Sequence, residues 1–334
     1  VRCGRRSKAR RTWMPVLAAA ALIALVHAWT YTGYVVLRPG TAVPAASLGG
    51  LAGADEPSGR FLYTSVVAHR ANAFEAVRAL VDPGVELVPV RGSAIAGVGW
   101  ETYASLLERQ TDDARRVAAA VALREAGYRV PVETIVAVDL VPSDSPLARA
   151  VAGDAILVGV GGAAVYTAEE AYALLREAAG GTVRLAFRER GGGVVEVELP
   201  VSRGDGEPVP FGLRLMTRHV IEFPVEIRLE PAGAVGSSAG LMFALALYDE
   251  LTGGGLEGGG AIAGTGALRL DGTVDSVDGV RQKVIAAMRV KAAAFVLPRA
   301  NVPDAAPVAK GIALLPVDTF AEAVDAVRRF KREE

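Results

Sequence analysis

Two adjacent serines stand in GSSAGLMFALALYDELT, residues 236–252. A serine hydroxyl becomes an effective nucleophile when a neighbouring group takes its proton. The chain offers few bases for that task. Its three histidines are His27, His69 and His219, all remote from the serines in sequence. His69 and His219 fall in strand-like segments among polar neighbours, as solvated surface histidines do. Arginine stays protonated and cannot serve. Lysine can, once burial among apolar groups lowers its pKa. Only five of the 36 basic residues are lysines, and one, Lys283, stands in GVRQKVIAAMRV. On a helix its neighbours are Gly279, Val280, Ala286, Ala287 and Val290, all small or apolar, and that face would desolvate the amine. Two plainer readings stay open. Ser237 and Ser238 could serve only as helix caps, and Lys283 could snorkel from a surface helix.

Positioning these groups requires particular elements. The serine segment is apolar on nearly every face through Leu247, which predicts a buried helix beginning near Ser238. Its small leading residues let the amides of Gly236 and Ser237 approach another group, and the positive end of the helix dipole suits a developing oxyanion. GAIAGTGALRLDGTVDSV (260–277) reads as a hairpin-like pair, followed by a helix carrying Lys283. AAFVLP and IALLPV read as short buried strands, and a last helix is expected over 319–331, capped by Asp318. Upstream, 60–68 reads as a strand and 100–127 as a long helix closed by Gly127. The block 129–203 has its own pattern of strands around one regular helix, TAEEAYALLREAA.

The serine segment followed by AIAGTGALRLDGTVDSVDGVRQKVIAA resembles the proteolytic domain of Lon-type serine proteases. The resemblance implies a Ser-Lys dyad with Ser238 as nucleophile and Lys283 as base, and a supporting Thr265 in AGTG that hydrogen-bonds the lysine. Gly236 and Ser237 would then contribute oxyanion-hole amides. Two residues depart from the family pattern. Ser237 occupies the position of a proline, and Val277-Asp278-Gly279 replaces an Ile-Gly-Gly run. An aspartate facing the amine would favour its protonated form and weaken the base. The block 129–203, with Ser145-Pro146, Gly153-Asp154, Ile156, Val160 and Gly162, resembles a PDZ domain, which accepts an extended peptide as an added strand. The overall order resembles membrane-anchored Lon-like proteases with a PDZ domain.

The N-terminal region points to a membrane. Six basic residues and no acid fill positions 1–11, and positions 12–37 carry no formal charge. Spanning a bilayer takes roughly 20 apolar residues, and Trp29, Tyr31 and Tyr34 lie where aromatic rings favour the interface. The basic flank predicts a cytoplasmic N-terminus and an extracytoplasmic catalytic domain. A cleaved signal peptide ending near VHA (26–28) is the alternative, and His27 reads as a neutral residue near the interface.

The expected fold class is therefore α+β: a Lon-type domain in two parts (60–128 and 204–334), with an inserted PDZ-like unit (129–203). A cytoplasmic tail and transmembrane helix (1–38) and a linker (39–59) precede it. Protein or peptide substrates, a lipid bilayer and a homo-hexamer are the expected partners, the last implied by the resemblance alone. Net charge is −1, and no basic patch interleaved with aromatics points to nucleic acid. With one cysteine and no metal-ligand spacing, no metal or other cofactor is expected. The absence of a GxxxxGK[ST] phosphate loop predicts ATP-independent cleavage. Two functions stay open: a membrane-anchored serine endopeptidase, or a catalytically silent PDZ-containing scaffold. Titration of the Lys283 amine separates them.

Overall fold

The computed structural model describes residues 31–53, 60–89, 100–140, 147, 151, 155–189, 192–201, 213–231, 236–256 and 260–333. The chain divides into two compact units. One combines Val1–Tyr128 with Val225–Glu334, and the other is Arg129–Pro224.

The first unit contains the strands β1 (Tyr31–Pro44), β2 (Gly49–Leu51), β3 (Phe61–Asn72) and β4 (Glu86–Pro89) before the break. The second unit contains β5 (Val132–Leu140), β6 (Ile156–Val160), β7 (Ala163–Ala164), β8 (Thr182–Arg188), β9 (Val194–Pro200) and β10 (Arg214–Ile221). After the return come β11 (Ile227–Leu229), β12 (Ile262–Gly264), β13 (Ala267–Leu268), β14 (Val274–Asp275), β15 (Ala294–Pro298) and β16 (Ala313–Val317). The helices are α1 (Ala73–Arg78), α2 (Trp100–Glu125), α3 (Ala168–Glu177), α4 (Gly240–Leu251), α5 (Val280–Arg289), α6 (Val302–Ala305) and α7 (Phe320–Glu333).

The first unit is built on a six-stranded sheet in the order β16-β15-β12-β3-β1-β4. β12 runs parallel to both β3 and β15, whereas β1 is antiparallel to β3 and β4. Every residue of β15, AFVLP, is buried, the near-continuous apolar run expected of a strand covered on both faces. α5 packs Val280, Val284 and Ala287 against Leu62, Ala263, Phe295 and Leu297. A Cβ at Gly264 would instead strike Met242 of α4. Successive strand residues face opposite sides, so α4 and α5 cover opposite faces of the sheet. Most of α4 is buried, because α2 and the sheet both lie against it.

The second unit is a mixed unit of its own, with a sheet ordered β10-β5-β6-β8-β9 and β7 added beside β6. Its core joins Leu157, Leu175, Leu185 and Phe187. α3 starts in a capping box between Thr167 and Glu170, which satisfies two otherwise unpaired amides.

Several expectations need correction. Residues 31–44 form a strand, so an apolar helix extending to Leu37 and a linker starting at position 39 do not match the structure. Val35 and Val36, uncharged as a lipid-facing residue would be, are instead buried in the central sheet. β2, also within the expected linker, pairs with β11. Among the described residues no helix is long and apolar enough to cross a membrane; positions 12–30 lie outside them. The boundary at 203 also shifts, because β10 pairs along the length of β5 and the first unit resumes at Val225. Of the segment 260–277 only β13 and β14 pair with each other; β12 belongs to the central sheet. At α7, the Thr319 hydroxyl rather than Asp318 accepts the Glu322 amide, at 3.2 Å. Ser145-Pro146 and Gly153-Asp154 lie outside the described residues.

Candidate active site

The serine segment enters α4 through a single tight turn, Ser237–Ala239. Gly236 precedes it with φ at +79°, a left-handed conformation that glycine adopts without a Cβ clash. Its amide donates to the Thr111 hydroxyl of α2 at 2.7 Å. Thr111 is fully buried, so α2 fixes the approach to the turn. Ser237 is exposed and Ser238 half-buried, which leaves the second serine shielded on one side and open on another.

The Ser238 carbonyl is held twice by the segment that follows β12. The Gly266 amide donates to it at 2.9 Å, and the Thr265 hydroxyl donates at 3.0 Å. Gly266 also accepts the Leu241 amide at 3.0 Å. Such close pairing needs a missing side chain, since a Cβ at Gly266 would lie 2.9 Å from Leu241 and 2.8 Å from Val274. Strand alternation carries Thr265 to the same side as Ala263, the side covered by α5.

There Lys283 meets it. The lysine Nζ donates to Thr265 Oγ1 at 3.2 Å, and both residues are buried. Of the small and apolar neighbours expected around Lys283, Val280, Ala286 and Ala287 are buried, but Val290 is exposed. Desolvation pulls the amine from 10.5 down to about 8, against the opposing pull of the Asp278 carboxylate. Asp278 is exposed, so water screens its charge and burial wins. The weakening expected from this aspartate is thus present in sign but too small to decide the outcome.

The structure therefore brings Ser238, Thr265 and Lys283 together through two hydrogen bonds centred on the Thr265 hydroxyl. A buried amine with a neutral partner and a lowered pKa can accept a proton near neutral pH. Gly236 does not fit the oxyanion role expected of it, because its amide is already donated to Thr111. Thr111 was invisible to sequence reasoning: it lies 125 positions from Gly236, in a helix with no motif around it. The two described histidines are engaged elsewhere, His69 with Glu75 at 2.6 Å and His219 with Thr134 at 3.2 Å. Among the described residues no cluster of three histidine, cysteine or acidic side chains could hold a metal ion.

Comparison with known proteins places this site in a family context. Residues 221–328 match the family model for the Lon protease (S16) C-terminal proteolytic domain, and that span contains Ser238, Thr265 and Lys283. Lon protease of Roseiflexus castenholzii is 43% identical over 77 residues, a stretch equal to 22% of this chain and 9% of that protein. The chain therefore matches only a small part of that relative's length. Among solved structures, the PDZ domain of an SdrC-like protein from Listeria monocytogenes is similar at 21% identity. It covers 24% of this chain and 85% of that domain, with a TM-score of 0.21, too low to carry an argument about the fold.

Proposed function

We propose that this chain, with its Lon-type proteolytic domain, is a serine endopeptidase in which Ser238 is the nucleophile and Lys283 the general base. The observation that carries the reading is the buried Lys283 amine, hydrogen-bonded to Thr265 and titrating near 8. Neutral Lys283 takes the hydroxyl proton as Ser238 Oγ attacks the scissile carbonyl. The resulting oxyanion is met by amides of the turn at Ser237 and Ser238. Collapse breaks the C–N bond, and the leaving amine takes the proton back from Lys283. Water, deprotonated by the same lysine, then attacks the acyl ester; the ester C–O bond breaks and Lys283 returns the proton to Ser238 Oγ. Thr265 orients the amine and anchors the Ser238 carbonyl, so nucleophile and base share one reference point.

The wider reading is an ATP-independent enzyme on the outer face of the cytoplasmic membrane. Positions 12–30 would serve as the anchor: the stretch is uncharged, its 19 residues approach the roughly 20 a span needs, and it ends where β1 begins. Substrates would be extracytoplasmic or membrane proteins, delivered as extended segments by the PDZ-like unit, with a homo-hexamer as the assembly.

The test uses the full chain in detergent micelles with unfolded casein, without ATP. Wild type should cleave, and Ser238→Ala and Lys283→Ala should each lose activity by on the order of 10⁴-fold or more. Equal cleavage by a folded Lys283→Ala variant would refute the dyad. A folded wild type that cleaves only when ATP is added would refute ATP independence alone.

A further inference from the structure

α1 is built inside out. Its inward side carries Glu75, which is buried and bound by Arg38 at 2.9 Å, His69 at 2.6 Å and the Asn72 amide at 3.1 Å. Ala79, one turn further on, packs with Val36, Ala71 and Val85. The outward side carries Phe74 and Val77, and the turns that follow carry Leu80 and Val81; these four are exposed by 67%, 64%, 83% and 82%. Positions 74 and 77 share one face of the helix, and the turns closed by the Leu80 amide on the Val77 carbonyl and the Val81 amide on the Arg78 carbonyl carry the apolar run on from it. Single exposed apolar residues are ordinary, but a contiguous apolar stripe opposite a buried, fully partnered carboxylate calls for an occupant.

The strand register indicates what covers it. Tyr31, the first described residue, pairs with Asn72, and Asn72 is the N-cap of α1. The described chain therefore begins beside the N-terminus of this helix. Tyr34, 42% exposed, stands on the same strand, and Trp29 precedes it in sequence, the residue types that favour a membrane–water boundary. Arg78, also exposed, is held by Asp82 at 3.1 Å, so the surface around the stripe carries a paired rather than a bare charge. α1 stands at the point where the apolar segment arrives. A bilayer holding that segment would meet it there.

We propose that Phe74 and Val77 of α1, with Leu80 and Val81 of the turns that follow it, insert into the interfacial layer of the bilayer beside the point where the chain leaves it. Such contact would fix the orientation of the first unit on the membrane rather than leave it held by one span alone. The proposal rests on the membrane-anchored reading above.

The test keeps the two claims distinguishable. The full chain carrying Cys3→Ser receives a single cysteine, Leu80→Cys or Val77→Cys, coupled to an environment-sensitive fluorophore. Val290→Cys, also exposed, serves as the control. Each is reconstituted into phospholipid vesicles containing some anionic lipid, with or without lipid bearing a doxyl quencher near the headgroup. The expected result is co-flotation of all variants, with several-fold stronger quenching at positions 77 and 80 than at 290. Co-flotation with no quenching at 77 and 80 would overturn the docking and leave the anchor standing. A blue-shifted but unquenched probe would overturn it in favour of a protein occupant such as a second copy. Failure to co-float would overturn both the anchor and the docking.

Discussion

Two buried charges in the first unit have opposite fates. Glu75 on α1 and Lys283 on α5 are almost equally removed from water, at 7% and 5% exposure. Burial alone would raise the pKa of Glu75, but the His69 hydrogen bond, the Asn72 amide and the charges of His69 and Arg38 outweigh it, so its pKa falls. Lys283 has a neutral hydroxyl within hydrogen-bond reach and a carboxylate only at a distance, in water. Burial dominates, and its pKa falls too. For an acid a lowered pKa means a stabilised charge; for a base it means a charge under stress. Partners, more than depth, separate a structural charge from a reactive one.

The sharpest way to test this contrast is stability. Lys283 binds fewer protons folded than unfolded between about 8 and the unfolded value of about 10.4. Its cost is therefore fully present below pH 8 and is relieved as pH rises towards 10. Lys283→Met should stabilise the fold by on the order of 2–3 kcal/mol at pH 7, and the gain should shrink above pH 8. Glu75→Gln should do the reverse, destabilising by about 1–3 kcal/mol at pH 7. Because the folded pKa of Glu75 lies below its unfolded value, that loss should vanish as pH falls into the acid range. Denaturant unfolding of both variants across pH measures the two signs, and a destabilised Lys283→Met would break the contrast.

A second prediction concerns the hydroxyl between base and nucleophile. Thr265→Val removes the acceptor for Lys283 and one of the two donors to the Ser238 carbonyl. It should lower kcat by about 10- to 100-fold, with Thr265→Ser restoring most of the activity. Equal losses in both variants would point to packing rather than to the hydroxyl. The smallest expected effect is at Asp278, whose exposed carboxylate holds the Lys283 pKa slightly up. Asp278→Asn should move the ascending limb of the pH–rate profile, set by the base, slightly towards acid. A shift towards base would show that the carboxylate acts by another route.

Lys283 stood out in the sequence as a scarce lysine among small and apolar helical neighbours, whereas Ser238 and Thr265 were singled out through the resemblance of their short motifs to Lon-type domains. Burial of Lys283 was readable from those same neighbours. The Thr111 contact was not, because a helix 125 positions upstream supplies it and nothing local marks the residue. The stretch from Tyr31 to Leu37 misled for a different reason. An uncharged, valine-containing run is what both a lipid-facing helix and a central strand need, and composition does not distinguish them. β10 was misassigned because its partner, β5, precedes it by some 80 positions, and pairing over that distance leaves no local signature. α1 escaped notice altogether, since its apolar residues follow helical spacing, as a core-facing helix would, and only the structure shows that they face outward.

The most direct measurement is titration of the Lys283 amine itself. The chain has only five lysines, so lysine labelled with ¹³C at Cε gives few resonances, and Lys283→Met identifies the one of interest. The account predicts an inflection near 8 in the folded wild type. An inflection above about 10, as for a lysine in water, would contradict a buried general base and remove the central support for the dyad.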